Sequence, residues 1–195
     1  MALYLLLCGF YLTSIEAPCK MVYPLVLLTL CSLRYRKPLL TLALACSTLG
    51  DLFGTLGALL PQIAAFALGH ICYILTFCRL MPKTSLRKVL LTTALTAVVC
   101  FVVYLAILPA IEHPIVRLCI AGYTLLIGAM TTMALLTGRT KIALGAVIFV
   151  LSDLLLAYCL FLAPYHTLLS LVLYFAGQLL LWLGLTERAV SKEYL

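Results

Sequence analysis

Charge is scarce in this sequence. Only 10% of its 195 residues are Asp, Glu, Lys or Arg, whereas 66% are hydrophobic and the mean hydropathy is +1.23. Such a composition excludes a soluble globular domain and indicates a polytopic membrane protein. Several catalytic and binding signatures are also missing. There is no Gly-x-Ser-x-Gly elbow or Cys/His constellation for nucleophilic catalysis, and no P-loop or dinucleotide fingerprint. The nine cysteines show no CxxC or Cys/His metal spacing and fall mostly within apolar runs (Cys46, Cys72, Cys100, Cys159), so they read as small buried hydrophobes rather than ligands. They therefore point to no metal site. A basic stripe interleaved with aromatics is lacking too, so the net charge of +7 does not point to nucleic acid.

What the cations report instead is topology. Six apolar runs are long enough to span a bilayer: Pro38 to Leu60, Gln62 to Leu80, Val89 to Ile111, Ile115 to Leu136, Ile142 to Ala163 and Thr167 to Thr186. Two shorter runs, Ala2 to Ile15 and Met21 to Leu33, precede them and are separated by a break with Glu16, Pro18 and Lys20. They fall short of the roughly 20 residues a hydrocarbon core asks for, so they extend into their flanks, thin the membrane or form a re-entrant pair. The first run has neither a basic n-region nor a small-x-small site and reads as retained rather than cleaved. Eleven of the 13 Lys and Arg residues collect on one side: Arg34, Arg36, Lys37, Arg79, Lys83, Arg87, Lys88, Arg139, Lys141, Arg188 and Lys192. Only Lys20 and Arg117 fall opposite. By the positive-inside rule both termini are cytoplasmic. The expectation is a single all-α transmembrane domain over 1–195, a bundle of eight helices, in the plasma membrane or, in a Gram-negative source, the inner membrane.

Acidic residues are rarer still, six in all. The glutamates stand at helix ends or in the first break, whereas both aspartates lie inside apolar runs, Asp51 in Ser47-Thr48-Leu49-Gly50-Asp51 and Asp153 in Leu151-Ser152-Asp153. A carboxylate at the centre of a membrane helix costs roughly 2.5–3.5 kcal/mol on insertion scales, so such residues face a protein interior and carry a function. Counting along the runs at 1.5 Å per residue puts Asp51 roughly 14 Å from the outer end of its run and His70 at about the same depth, with Asp153 and Gln178 roughly 15 Å down. Four polar groups thus share one layer. Ser47 and Asp51, four apart, point the same way; Phe66, His70, Tyr73 and Phe77 make one stripe, Tyr174 and Gln178 another. Gly50 and Gly54 form a small-xxx-small pair that would admit a neighbouring backbone. The pair of runs carrying Asp51 and His70 weakly echoes the pair carrying Asp153, Tyr174 and Gln178, as two parallel halves would. His113 and His166, beside prolines, read as surface residues.

Two carboxyl groups withdrawn from water and close together do not both ionise easily, so an acid and a base are present together. That division suits general acid-base hydrolysis. It also suits proton relay in a transporter, or peptide hydrolysis as in intramembrane aspartyl proteases. The protease signature needs glycine at Thr48 and tyrosine at Ser152, and has neither.

At these residues the chain resembles the YhhN family of lysoplasmalogenase-like membrane proteins. Three blocks carry the resemblance. The first is Ser47-x-x-Gly50-Asp51 with Phe66-x-x-Gly69-His70-x-x-Tyr73, the second Tyr123-x-x-x-Ile127-x-x-Met130, and the third Gly145-Ala146-x-x-Phe149-x-x-Ser152-Asp153-x-x-x-Ala157, followed by Tyr174 and Gln178. The chain departs from the family pattern at Cys119, where a proline is usual, and at Pro24, displaced from its usual place after lysine. The resemblance implies an eight-helix bundle that hydrolyses the vinyl ether bond of lysoplasmalogens to a fatty aldehyde and glycerophosphocholine or glycerophosphoethanolamine. It implies Asp51 and Asp153 as the catalytic pair, Ser47, His70, Tyr73, Tyr123, Ser152, Tyr174 and Gln178 as supporting or substrate-binding groups, a single-chain vinyl ether phospholipid as the partner, and no cofactor. A proton-coupled transporter or lipid-handling protein using the same aspartates is the alternative.

Overall fold

The computed structural model describes residues 1–12, 21–163 and 167–187. Eight helices follow in order: α1 (Ala2–Leu12), α2 (Tyr23–Arg34), α3 (Pro38–Thr55), α4 (Leu59–Cys78), α5 (Leu86–Ile107), α6 (Pro114–Leu136), α7 (Thr140–Phe161) and α8 (Thr167–Thr186), with no strand among the described residues. Six of them, α3 to α8, are long and apolar enough to cross a membrane. At 11 and 12 residues, α1 and α2 rise only about 16–18 Å. The expected break with Glu16, Pro18 and Lys20, the loop with His166, and Arg188 and Lys192 of the tail lie outside the described residues.

Helix starts follow local chemistry. Pro38 and Pro114 open α3 and α6, where a missing N–H costs nothing. Ser85 caps α5 by accepting from the Lys88 backbone N–H. The connection between α5 and α6 is a 3-10 turn, Leu108–Ala110, held by the Arg117 guanidinium donating to the Ile111 carbonyl from Nε (2.9 Å) and Nη2 (2.5 Å). At the opposite, basic end Lys141 pairs with Glu187 across α7 and α8, an exposed contact that contributes little.

The bundle is built on two tight helix pairs, α3 with α4 and α7 with α8. Glycine sets the second. A Cβ on Gly145 would stand 2.8 Å from the Leu181 backbone nitrogen, and one on Gly177 3.0 Å from that of Phe149, so α7 and α8 touch backbone to backbone. Ser152 and Ser170 clasp the same pair, each hydroxyl donating to the other's carbonyl at 2.8 and 3.1 Å. α6 lies against α4 and α7, α2 against α3, and α1 reaches α8 where the Tyr4 hydroxyl donates to the Phe175 carbonyl at 2.8 Å. Trp182 Nε1 donates to Ser32 Oγ and ties α2 to α8. By contrast α5 is loosely held: Ile107 is its one buried residue, and its leucines, Val98, Val99, Val102 and Phe101 are exposed, as a lipid-facing helix permits.

Two expectations need correction. α3 ends at Thr55, not Leu60, because Gly57 at φ +70° turns the chain and α4 already begins at Leu59. Asp51 is therefore about 6 Å of helical rise from the end of its helix, and His70 about 16 Å into α4. Gly50 and Gly54 admit side chains rather than a backbone: a Cβ would meet the Phe66 ring at 2.9 Å and the Gln62 amide at 2.7 Å.

Candidate active site

Asp51 and His70 are each 1% exposed, Ser47 and Gln178 are buried, and all four face the interior. Asp51 receives the Tyr174 hydroxyl on Oδ2 at 3.0 Å, so its carboxyl is held by α8 rather than by its own helix pair. One turn deeper on α8, Gln178 donates from Nε2 to Ser47 Oγ at 3.1 Å and accepts the Tyr73 hydroxyl on Oε1 at 2.7 Å. Ser47 in turn donates to the Ala43 carbonyl at 3.0 Å. These bonds join α3, α4 and α8 in one polar layer, which is how buried polar groups are tolerated in a membrane interior.

The second aspartate has a separate set of partners. The Tyr123 hydroxyl, on α6, donates to Asp153 Oδ2 and lies 2.8 Å from His70 Nε2. A hydroxyl has one proton. If Tyr123 gives it to an ionised Asp153, His70 must donate from Nε2, which leaves Nδ1 as a lone-pair acceptor. Asp153 and Tyr123 also line a cavity of about 100 Å³ between α4, α5, α6 and α7. Apart from Gln62 and Thr124 its other walls are apolar, among them Phe66, Val103, Ile127, Val150 and Ala157. Half-buried Cys100 and Thr124 form a wall shared with a wider cleft of about 520 Å³ between α5 and α6.

An aromatic wall connects the two aspartate sites. Phe149 packs edge-on against His70 with ring centroids 5.2 Å apart and against Tyr174 at 5.5 Å, and Phe66 meets Tyr174 at 6.1 Å. The two carboxyl groups lie within electrostatic reach of one another. They differ in exposure. Asp51 is sealed, whereas Asp153 borders the cavity. Among the described residues, Asp51 Oδ1 and His70 Nδ1 are the buried side-chain atoms without a hydrogen-bond partner. Among the same residues, no group of three or more His, Cys, Asp or Glu is arranged to hold a metal ion.

A scan against family models matches residues 15–185 to the YhhN family. The chain belongs to the YhhN family. Among curated proteins it is similar to "Lysoplasmalogenase TMEM86B" of Homo sapiens, 32% identical over 155 residues, which are 77% of this chain and 64% of that protein. The chain thus spans somewhat less than two thirds of the relative's length. No solved structure matches.

Within this YhhN bundle, six of the seven supporting residues read from the sequence converge. Ser47, Tyr73, Tyr174 and Gln178 gather on the Asp51 side, and His70 and Tyr123 bond in series to Asp153. Ser152 does not join them; it bonds Ser170 in the α7–α8 clasp. Residues adjacent in a helix point about 100° apart, so Ser152 and Asp153 face different neighbours. Sequence reasoning missed Tyr4 and Tyr11 of α1. Both are buried and within electrostatic reach of Asp51, and Tyr11 meets Phe175 edge-on at 6.1 Å. Their signal was Tyr4, Cys8 and Tyr11 at i, i+4 and i+7, one buried face of a short helix.

Proposed function

We infer that this YhhN protein is an intramembrane hydrolase that cleaves the vinyl ether bond of lysoplasmalogens, releasing a fatty aldehyde and a glycerophospho-base. The observation that carries the reading is the unequal placement of the two aspartates, Asp153 half-buried beside a mostly apolar cavity and Asp51 buried and hydrogen-bonded to Tyr174. The lysoplasmalogenase relative supports the substrate class. Asp153, at the cavity wall, acts as the acid and gives its proton to the vinyl carbon beyond the one bearing oxygen. The resulting oxocarbenium ion is attacked by water, whose proton passes to Asp51 as the base. The hemiacetal then collapses to aldehyde and alcohol with no net proton change, and Asp51 loses its proton and Asp153 regains one by exchange with water before the next turnover.

The single hydrocarbon chain takes the apolar walls contributed by α4 to α7. Its head group lies towards the end of the bundle holding the α5–α6 connection, opposite the basic, cytoplasmic end. The test is hydrolysis by purified protein in deuterium oxide or in ¹⁸O water, with the aldehyde read by mass spectrometry. One deuterium beside the carbonyl and one ¹⁸O in the aldehyde are expected. A protein inert towards vinyl ethers that moves protons across liposomes refutes the hydrolase and supports the transporter.

A further inference from the structure

A hydrolase working from an apolar cavity must hold its water somewhere polar. Two buried acceptors at this site have no hydrogen-bond partner among the described residues. Asp51 engages Oδ2 with Tyr174 and leaves Oδ1 free, while His70 engages Nε2 with Tyr123 and leaves Nδ1 free. The direction of the bonds fixes what each can take. Once Asp153 has given its proton to the substrate and is ionised, the Tyr123 proton lies toward Asp153, Nε2 carries the imidazole proton, and Nδ1 offers a lone pair. A carboxylate oxygen likewise only accepts. Both side chains are 1% exposed, so what they bind must be small. Phe149 links their surroundings, packing against His70 and against Tyr174, whose hydroxyl donates to Asp51. A small molecule with two protons to give matches that demand.

We propose that Asp51 Oδ1 and His70 Nδ1 together seat the water that hydrolyses the substrate. The assignment rests on the hydrolase reading and specifies where its nucleophile stands. With both protons donated, one to each acceptor, the water turns its lone pairs away from Asp51 and His70. In the reacting step a water O–H bond breaks, its proton goes to Asp51 Oδ1, and the oxygen forms the new bond to the oxocarbenium carbon, whose positive charge is cancelled. His70 keeps the second hydrogen bond and takes no proton. Tyr123 is a positioning residue here, because it selects the tautomer that makes Nδ1 an acceptor.

The seat predicts selectivity for water over an alcohol, since methanol has one proton to donate and leaves one acceptor unpaired. In water–methanol mixtures the oxocarbenium ion partitions between aldehyde, from water, and a stable mixed acetal, from methanol. That partition is decided after Asp153 has given up its proton, so it is insensitive to damage to the acid. The wild-type protein is expected to form less acetal than the solvent ratio dictates. His70→Leu is expected to raise the acetal-to-aldehyde ratio roughly two- to tenfold, the discrimination of one hydrogen bond. Tyr123→Phe, a second variant should the first fail to fold, is expected to raise it less. A ratio that follows the solvent in the wild type, or that neither variant moves, overturns the seat and leaves the hydrolase standing. A wild-type protein that releases no aldehyde overturns both. An experimental structure with one ordered water bonded to Asp51 Oδ1 and His70 Nδ1 supports the seat directly; one in which those atoms bond separate protein groups refutes it.

Discussion

Replacing Tyr174 by phenylalanine removes one oxygen and, with it, the single hydrogen bond that the Asp51 carboxyl receives from a described side chain. The ring's packing survives, because Phe149, Phe66 and Phe175 contact its faces and edges rather than its hydroxyl. A hydrogen bond to a charged group contributes about 1.5–3 kcal/mol, and about 1.4 kcal/mol is tenfold in a rate or equilibrium. If Asp51 works as a carboxylate base, Tyr174→Phe should slow aldehyde release roughly 10- to 100-fold. The change should fall on kcat, since Tyr174 does not line the cavity. Initial rates of aldehyde formation, followed by a coupled dehydrogenase, measure it. Thermal unfolding in detergent, run alongside, separates lost activity from lost fold. A variant within about twofold of wild type in kcat, with Tyr174 confirmed beside Asp51, refutes the reasoning that this bond sustains the base.

Filling the cavity should separate substrate binding from the acid pair: Ala157→Trp places an indole among the apolar walls and should raise KM about tenfold or more, each displaced CH₂ contact contributing about 0.8 kcal/mol, with Tm little changed. Gly177→Ala should act on the fold instead, lowering stability by about 1–3 kcal/mol because its Cβ would press on the Phe149 backbone 3.0–3.2 Å away. Ser152→Ala is the control beside the acid: it removes one bond of the α7–α8 clasp, costs about 1 kcal/mol in unfolding measurements, and leaves aldehyde release intact.

The architecture was readable where the membrane imposes it. Six long apolar runs became α3 to α8 because a bilayer interior allows the backbone little but helix, and the two short runs became α1 and α2. Boundaries were less readable. The turn after Thr55 is built from Leu56, Gly57 and Ala58, as apolar as the helices on either side, so hydropathy ran through it and only Gly57 marked it. The polar layer was legible because unpaired polar groups are costly in lipid, which made Asp51, His70, Asp153 and Gln178 conspicuous. Their partners were not all legible. Tyr4 and Tyr11 carry hydroxyls on large apolar rings and pass as ordinary membrane residues, and only folding brings α1 to Asp51. Ser152, by contrast, stood beside an aspartate in sequence and faces another helix in space.

The central claim is that the two aspartates perform hydrolysis together, and the most direct measurement is aldehyde release by Asp51→Asn and Asp153→Asn, each isosteric with the residue it replaces. General acid-base groups contribute roughly 10²- to 10⁴-fold, so each variant should lose about that much turnover while its unfolding transition is kept. Aldehyde release that persists within about twofold of wild type in either folded variant contradicts the account.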